Sequence, residues 1–230
     1  PTMMLQEGLA SYTRLEQHTL TTGGSDLAAH LAWYELMAVG NAREGGRSSS
    51  FSYGGGTAHQ LAGQASAAQF GIDAMMRDLT RQTAPHPLGD KFVGEVLLTP
   101  MAACSLLDWL LAQVSDVHLI AGSSVLREQV GSLVASPLLT LRSRFDAPGV
   151  VGVSADAFAA RPVNLLQQGR LTCLLPTLYG SRKTGLPHHP AAAGWALDAG
   201  ETALADMLGA VQRGAWVGRL SMGMPAANGD

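Results

Sequence analysis

Residues 122–136 read Gly-Ser-Ser-Val-Leu-Arg-Glu-Gln-Val-Gly-Ser-Leu-Val-Ala-Ser. An apolar helical run precedes this stretch, and Arg144-Phe145-Asp146 follows it. Read together, the three decide what kind of α+β protein this is. The decisive feature is an absence: the run before Gly122 contains no pair of histidines at helical spacing.

That run opens at Thr99-Pro100, threonine at the N-cap and proline in the first turn, the pairing that starts a helix. Met101, Leu106, Trp109, Leu110 and Val114 line one side, and Cys104, Leu107 and Leu111 another. A helix apolar nearly all round is expected to be buried. Asp108 is its one charge, either a functional carboxylate or, more simply, a surface residue between two stripes. A short strand, 92–98, leads into the helix.

Beyond the stretch, 138–141 reads as a strand and 144–149 as a turn. Residues 161–168 and 170–178 read as a hairpin. Tyr179 to Lys183 is a short helix closed by Gly185, and 187–193 a loop. Asp198 with Glu201 suggests a capping box for a helix with a Leu204, Met207, Leu208 and Val211 stripe. Gly214 suits its C-cap, and 216–222 reads as a last strand.

Towards the N-terminus, 8–53 reads as an antiparallel meander turning at Gly23-Gly24-Ser25-Asp26, with a third strand from Ser48 to Tyr53. Gly54-Gly55-Gly56 is expected to break that strand off as a hinge; with no Lys-Ser or Lys-Thr after it, it is not a phosphate loop. A helix over about 58–83 is expected, with a Thr57/Gln60 capping box. Its apolar stripe would run through Leu61, Ala65, Ala68, Ile72, Met75 and Leu79.

Composition sets outer bounds. The 230 residues are 47% hydrophobic and 14% charged, which excludes a disordered chain and allows a sizeable core. The formal charge of −3 comes without a basic cluster, so nucleic-acid binding through phosphate neutralisation is not expected. No apolar run reaches the roughly 18 residues of a membrane-spanning helix, and no signal peptide is visible. The two cysteines, Cys104 and Cys173, lack paired spacing and are expected as buried, reduced thiols of a cytoplasmic protein. A start at Pro1 and an end at Asn-Gly-Asp suggest a piece of a longer chain.

Catalytic patterns are missing. Hydrolysis at zinc needs two histidines on one helical face, a third ligand and a carboxylate. None of the seven histidines, His18, His30, His59, His86, His118, His188 and His189, forms such a pair. His188-His189 reads as an exposed loop pair. Neither Gly152-Val153-Ser154-Ala155-Asp156 nor Gly218-Arg219-Leu220-Ser221 completes a serine elbow. Cys104 and Cys173 show no histidine partner, and no dinucleotide fingerprint is present.

Four blocks in order resemble the TldD/PmbA (TldD/TldE) family. They are Ser123-Ser124-Val125 with Gln129 to Ser136; Arg144-Phe145-Asp146 with Gly149; Gly169-Arg170-Leu171 leading to Leu178 through Gly185; and Gly214 through Met222-Gly223-Met224 to Asp230. The resemblance covers about residues 90–230. It implies an α+β fold with an antiparallel β-meander region, 1–88, followed by a mixed α/β C-terminal domain, 89–230, truncated at its end.

In the family's zinc-bearing members, a helix with H-E-x-x-x-H lies a fixed distance before the Gly-Ser-Ser-Val equivalent. Counting back from Gly122 places the motif positions on Leu107, Asp108 and Ala112, and leucine and alanine cannot ligate a metal. The chain is thus similar to the zinc-less PmbA/TldE side. The resemblance implies a non-catalytic subunit, without cofactor or metal of its own, in a cytoplasmic peptide-maturing or proteolytic complex. Its expected partners are a TldD-like zinc-bearing subunit, or a second copy of itself, and a peptide substrate. No direct nucleic-acid or membrane partner is expected. An added strand at 214–222 or at the 161–178 hairpin would be one way to hold a peptide. Two alternatives stay open: a homodimeric peptide- or protein-binding module of the kind labelled modulator of DNA gyrase, and a metallopeptidase with an unconventional site.

Overall fold

The computed structural model describes residues 1–63, 66–87, 89–191 and 193–220. The chain is α+β and forms two units. One comprises residues 1–19, 26–90 and 146–151; the other comprises 20–25, 91–145 and 152–230.

The first unit is built on a long β-hairpin, β1 (Thr2–Leu20) and β2 (Asp26–Glu44). The turn between them is closed by the Thr21 N–H to the Ser25 carbonyl at 3.0 Å and the Gly24 N–H to the Thr21 carbonyl at 3.1 Å. The other side of β2 takes β3 (Arg47–Ser48) and β4 (Ser52–Ala58), both antiparallel. The expected meander is therefore present, with strands longer than anticipated.

The glycine run is not a hinge. Gly54, Gly55 and Gly56 lie inside β4, opposite Ala38, Met37 and Leu36. A Cβ on Gly55 would stand 2.3 Å from the Leu36 carbonyl oxygen, and one on Gly54 3.0 Å from the Met75 Cβ. At Gly54 and Gly55 a side chain is excluded because the strand lies against its neighbours.

The expected helix over 58–83 is shorter and broken. Thr57 pairs with Glu35 in β4, so it cannot serve as a cap. The helical parts are α1 (Ser66–Gln69) and α2 (Ile72–Arg81), separated at Gly71, which takes a left-handed φ of 71°. The Gln69 side chain ties down the preceding loop, donating to the Gln60 carbonyl at 2.7 Å and accepting from the Ala62 N–H at 3.0 Å. Phe70 and Leu79 are buried. Ala65 of the expected stripe lies outside the described residues.

The second unit starts with β5 (Glu95–Leu98) and α3 (Pro100–Gln113). Thr99 caps α3 as expected, its hydroxyl accepting the Ala102 N–H at 3.2 Å. The helix is only partly buried, however. Leu107, Leu110 and Leu111 pack on the core, while Met101 is 36% and Leu106 44% exposed. A further helix, α4 (Asp116–Ala121), follows and ends at Gly122 with φ 68°. It has no counterpart in the sequence reading.

The remaining elements are β6 (Leu141–Ser143), β7 (Asn164–Gln167), β8 (Arg170–Leu171), α5 (Leu178–Thr184), β9 (Trp195–Leu197), α6 (Leu204–Ala210) and β10 (Gly214–Val217). Among the described residues they form an antiparallel sheet in the order β8-β7-β6-β9 and a parallel β10-β5 pair. The β7–β8 hairpin turns on Gln168 and Gly169, both with positive φ, a two-residue turn whose twist matches the strands it joins.

Two further expectations change. Asp198 caps no helix: it pairs with Arg142 at 2.9 Å, and α6 begins after Ala203. Gly214 opens β10 instead of closing α6, and a Cβ there would stand 2.3 Å from the Glu95 carbonyl oxygen. Met222 and the Met222–Asp230 part of the fourth block lie outside the described residues.

Residues 122–136 dress this core. The Ser123 and Ser124 N–H groups cap α4 through the His118 carbonyl at 3.0 and 3.2 Å. The Val125 N–H donates to the buried Gln113 side chain at 3.0 Å. Gly131 and Leu171 bond at 2.7 Å, Leu171 and Ser132 at 3.1 Å, and the Val134 and Ala135 N–H groups reach the Gly169 carbonyl. The stretch thus runs along the outer side of β8. Leu119, Leu141, Leu165 and Leu171 are fully buried beneath it, each contributing on the order of 2 kcal/mol of hydrophobic stabilisation.

Candidate functional site

The three positions singled out on α3 stand differently. Leu107 packs against the core, Asp108 is exposed and Ala112 is half-buried. The three bring a single oxygen donor set and no nitrogen or sulfur ligand. Among the described residues, no three His, Cys, Asp or Glu side chains gather as a metal ion would need. The zinc of the family's zinc-bearing members therefore does not fit α3, because tetrahedral zinc takes three or four nitrogen, sulfur or oxygen side chains.

The histidines fall in separate places. His18 and His30 meet edge to face on the hairpin, with ring centroids 6.4 Å apart. The His118 Nδ1 lies 2.9 Å from the Ser123 hydroxyl. His188 and His189 are not the exposed pair expected; both are half-buried. The His188 Nε2 meets an Asp156 oxygen at 3.2 Å, and its ring stands 5.0 Å from Phe158. The His189 Nε2 is buried without a hydrogen-bond partner among the described residues. Burial first, and then the nearby His188 and Arg161, hold His189 below the ordinary histidine value.

These residues belong to a carboxylate-rich clasp at the start of α5. The Asp116 carboxylate accepts the Thr177 N–H at 2.9 Å and its hydroxyl at 2.5 Å. The Asp156 Oδ2 accepts the Leu178 N–H at 2.9 Å as well as facing His188. These contacts hold α5 and its flanking loops. Ser154 is buried, and its hydroxyl accepts the Phe158 N–H at 3.2 Å, which makes it a turn residue. Ser221 lies outside the described residues. Cys104 is exposed, contrary to expectation, and Cys173 half-buried. Burial pushes the Cys173 thiol up, away from the thiolate a nucleophile needs.

Binding features lie in the first unit. β1 pairs with β2 on one side only among the described residues. Between β1, β2 and α2 runs a cavity of about 440 Å³, lined by Met3, Met4, Met37, Met75 and Met76 among other residues. Nothing in the sequence marked it, because its wall is assembled from three separate segments, 3–10, 36–41 and 72–79. By contrast, the 161–178 hairpin does not offer its β8 side, which residues 131–135 already occupy. Among the described residues no helix is long and apolar enough to cross a membrane.

Fold and site together define an α+β protein with a methionine-lined groove and a structural, carboxylate-capped helix. Residues 93–230 match the family described as the PmbA/TldA metallopeptidase C-terminal domain. The chain belongs to that family, as the four blocks implied. None of the curated proteins compared with it matches. The fold is shared with TldE from Thermococcus kodakarensis, with a TM-score of 0.74, 16% identity, and 94% of this chain and 52% of that one covered. A candidate modulator of DNA gyrase from Bacteroides thetaiotaomicron gives 0.68, 20% identity, and 91% and 48%. Another from Thermotoga maritima gives 0.65, 17% identity, and 87% and 48%. The chain therefore spans about half the length of these structures, and at such identities the likeness speaks for the fold.

Proposed function

We propose that the chain acts as a non-catalytic PmbA/TldE-like subunit of a peptide-processing metallopeptidase complex in the cytoplasm, with zinc supplied by a TldD-like partner. One reading of the residues carries the proposal: counted back from Gly122, the family's zinc-helix histidine positions fall on Leu107 and Ala112, and neither side chain can donate to a metal. The contribution of such a subunit is to hold the peptide. An extended peptide can add by backbone hydrogen bonds to the edge of β1 that takes no strand among the described residues. Its apolar side chains would then enter the adjoining methionine-lined groove, whose flexible thioethers adapt to varied shapes.

The test is co-purification with the zinc-bearing homologue, followed by peptidase assays of each protein alone and of both together, with elemental analysis. The expected result is a complex, activity only in the presence of the partner, and no stoichiometric zinc in this chain alone. Chelator-sensitive activity from the isolated chain would refute the proposal.

The same β1 edge also favours a second reading, a homodimer that binds peptides or proteins without hydrolysis. The gyrase-modulator names of two similar structures belong to that class. Sedimentation of the chain with and without the zinc-bearing homologue distinguishes the two, since a self-associating module would stay homodimeric in its presence.

A further inference from the structure

His59 lies just past β4, and both nitrogens of its ring are engaged. Nδ1 is 3.1 Å from the Ala32 carbonyl oxygen on β2, and Nε2 is 3.0 Å from the Asp146 carbonyl oxygen. A carbonyl oxygen only accepts, so each contact requires a hydrogen on the nitrogen facing it. Neutral imidazole carries one such hydrogen and imidazolium two. The two hydrogen bonds exist together only in the cation.

The residues so held form a short strap. Residues 146–151 belong to the first unit, although the chain on both sides of them belongs to the second. Their turn is closed by the Val150 N–H to the Ala147 carbonyl at 3.1 Å. Gly149, with φ 74°, lies against the Trp33 indole; a Cβ there would stand 3.6 Å from the nearest ring atom. Besides that ring contact, the His59–Asp146 hydrogen bond ties the strap to the sheet.

We infer that His59 is a proton-operated clasp: as imidazolium it pins residues 146–151 to β2, and on losing the Nε2 proton it releases the Asp146 carbonyl. β2 carries Tyr34 and Glu35 beside the contact, the strap carries Asp146, and the loop from Gln60 through Gly63 and helix α1 carry none. The Asp146 carbonyl first, then the Ala32 carbonyl, raise His59 above its ordinary value of 6.5, with the Asp146 charge adding a little. A raised histidine contributes stability that is complete below the ordinary value and lost as pH rises through the folded one. The clasp is thus closed in mild acid and opens as the solution turns alkaline. What it orders is the stretch from Asp146 to Gly149, part of one of the four blocks that mark this family.

NMR of the full chain between pH 5.5 and 9 reads both ends of the clasp. The Trp33 ring current shifts the Gly149 resonances while the strap is docked, and the ring ¹⁵N shifts of His59 report its protonation. The expected result is doubly protonated His59 at pH 6, with Gly149 moving towards its unstructured shift at the same midpoint, above 6.5. In His59→Gln, whose side chain neither gains nor loses a proton over this range, Gly149 should not move with pH. The inference is overturned if Gly149 stays still while His59 titrates. It is equally overturned if His59 holds a single proton at pH 6, or if the Gly149 movement survives in His59→Gln. The wild-type titration decides the matter even if the variant does not fold.

Discussion

Asp116 and Thr177, far apart in the chain, meet twice. One carboxylate oxygen accepts the Thr177 backbone N–H at 2.9 Å, the other its hydroxyl at 2.5 Å. The Thr177 hydroxyl in turn accepts the Gly180 N–H at 3.2 Å. Thr177 is thus a helix cap that is itself held in place by a carboxylate on α4. The carboxylate leaves no room for a side chain opposite it: a Cβ on Gly180 would fall on Asp116.

Asp116→Ala should therefore lower stability by about 2 kcal/mol or more, because it strands an N–H and a hydroxyl that shared a charged acceptor. Gly180→Ala should cost a similar amount, about 1–3 kcal/mol, by overpacking the same contact. Urea denaturation of each variant measures both. If the two losses are independent, the double variant should show their sum; a smaller loss is expected, because both changes break the same contact.

How far the sequence reveals this architecture depends on how local each signal is. Thr99-Pro100 and Gly185 lie within a turn of the ends they mark, and both were legible. Thr57 with Gln60, and Asp198 with Glu201, have the same local spacing, yet distant partners decide them: Glu35 pairs with Thr57, and Arg142 with Asp198. Helix α4 escaped because only six residues form it, too few for a periodic stripe. The α3 positions came from the family resemblance, by counting back from Gly122. The His59 clasp could not be read from the sequence, since both its partners are backbone carbonyls, which leave no trace in side-chain identity.

Glycines 55 and 56 offer a controlled comparison within one strand. A Cβ on Gly55 meets the Leu36 carbonyl oxygen at 2.3 Å and the Met37 Cα at 2.8 Å, while one on Gly56 meets nothing within 4 Å. Gly55→Ala should destabilise the protein by about 1–3 kcal/mol. Gly56→Ala should be neutral or slightly stabilising, through the reduced freedom of the unfolded chain. Thermal melts of the pair separate a packed glycine from a merely flexible one. Equal melting temperatures would contradict the β2–β4 register.

His189 predicts a loss of stability in acid. Its folded-state value lies below the ordinary 6.5, chiefly through burial. As pH falls below 6.5, the unfolded chain takes up a proton that the folded chain resists, so stability declines until the depressed folded value is passed. His59 has the opposite sign, its contribution being lost as pH rises. Urea midpoints of the wild type and His189→Leu at pH 5.5 and 8 isolate the first effect: the acid penalty should shrink in the variant. An unchanged penalty would place the acid-sensitive group elsewhere.

Asp108 and Leu107 are neighbours on α3 with opposite expected roles. Asp108 is exposed and Leu107 packs on the core. Under the proposed function neither touches reacting atoms. Asp108→Asn should leave unchanged the peptidase rate of the complex formed with the zinc-bearing subunit. A carboxylate that activated water would lose about 10²–10⁴-fold on the same change. Leu107→Ala should cost about 2–3 kcal/mol of stability through the lost contacts and the cavity left behind, with no change in rate per folded complex. The two variants thus separate a helix kept for packing from one kept for catalysis, since only in the second case does the exposed carboxylate matter more than the half-buried leucine. A large rate loss in Asp108→Asn with stability intact would return α3 to the chemistry and overturn the non-catalytic assignment.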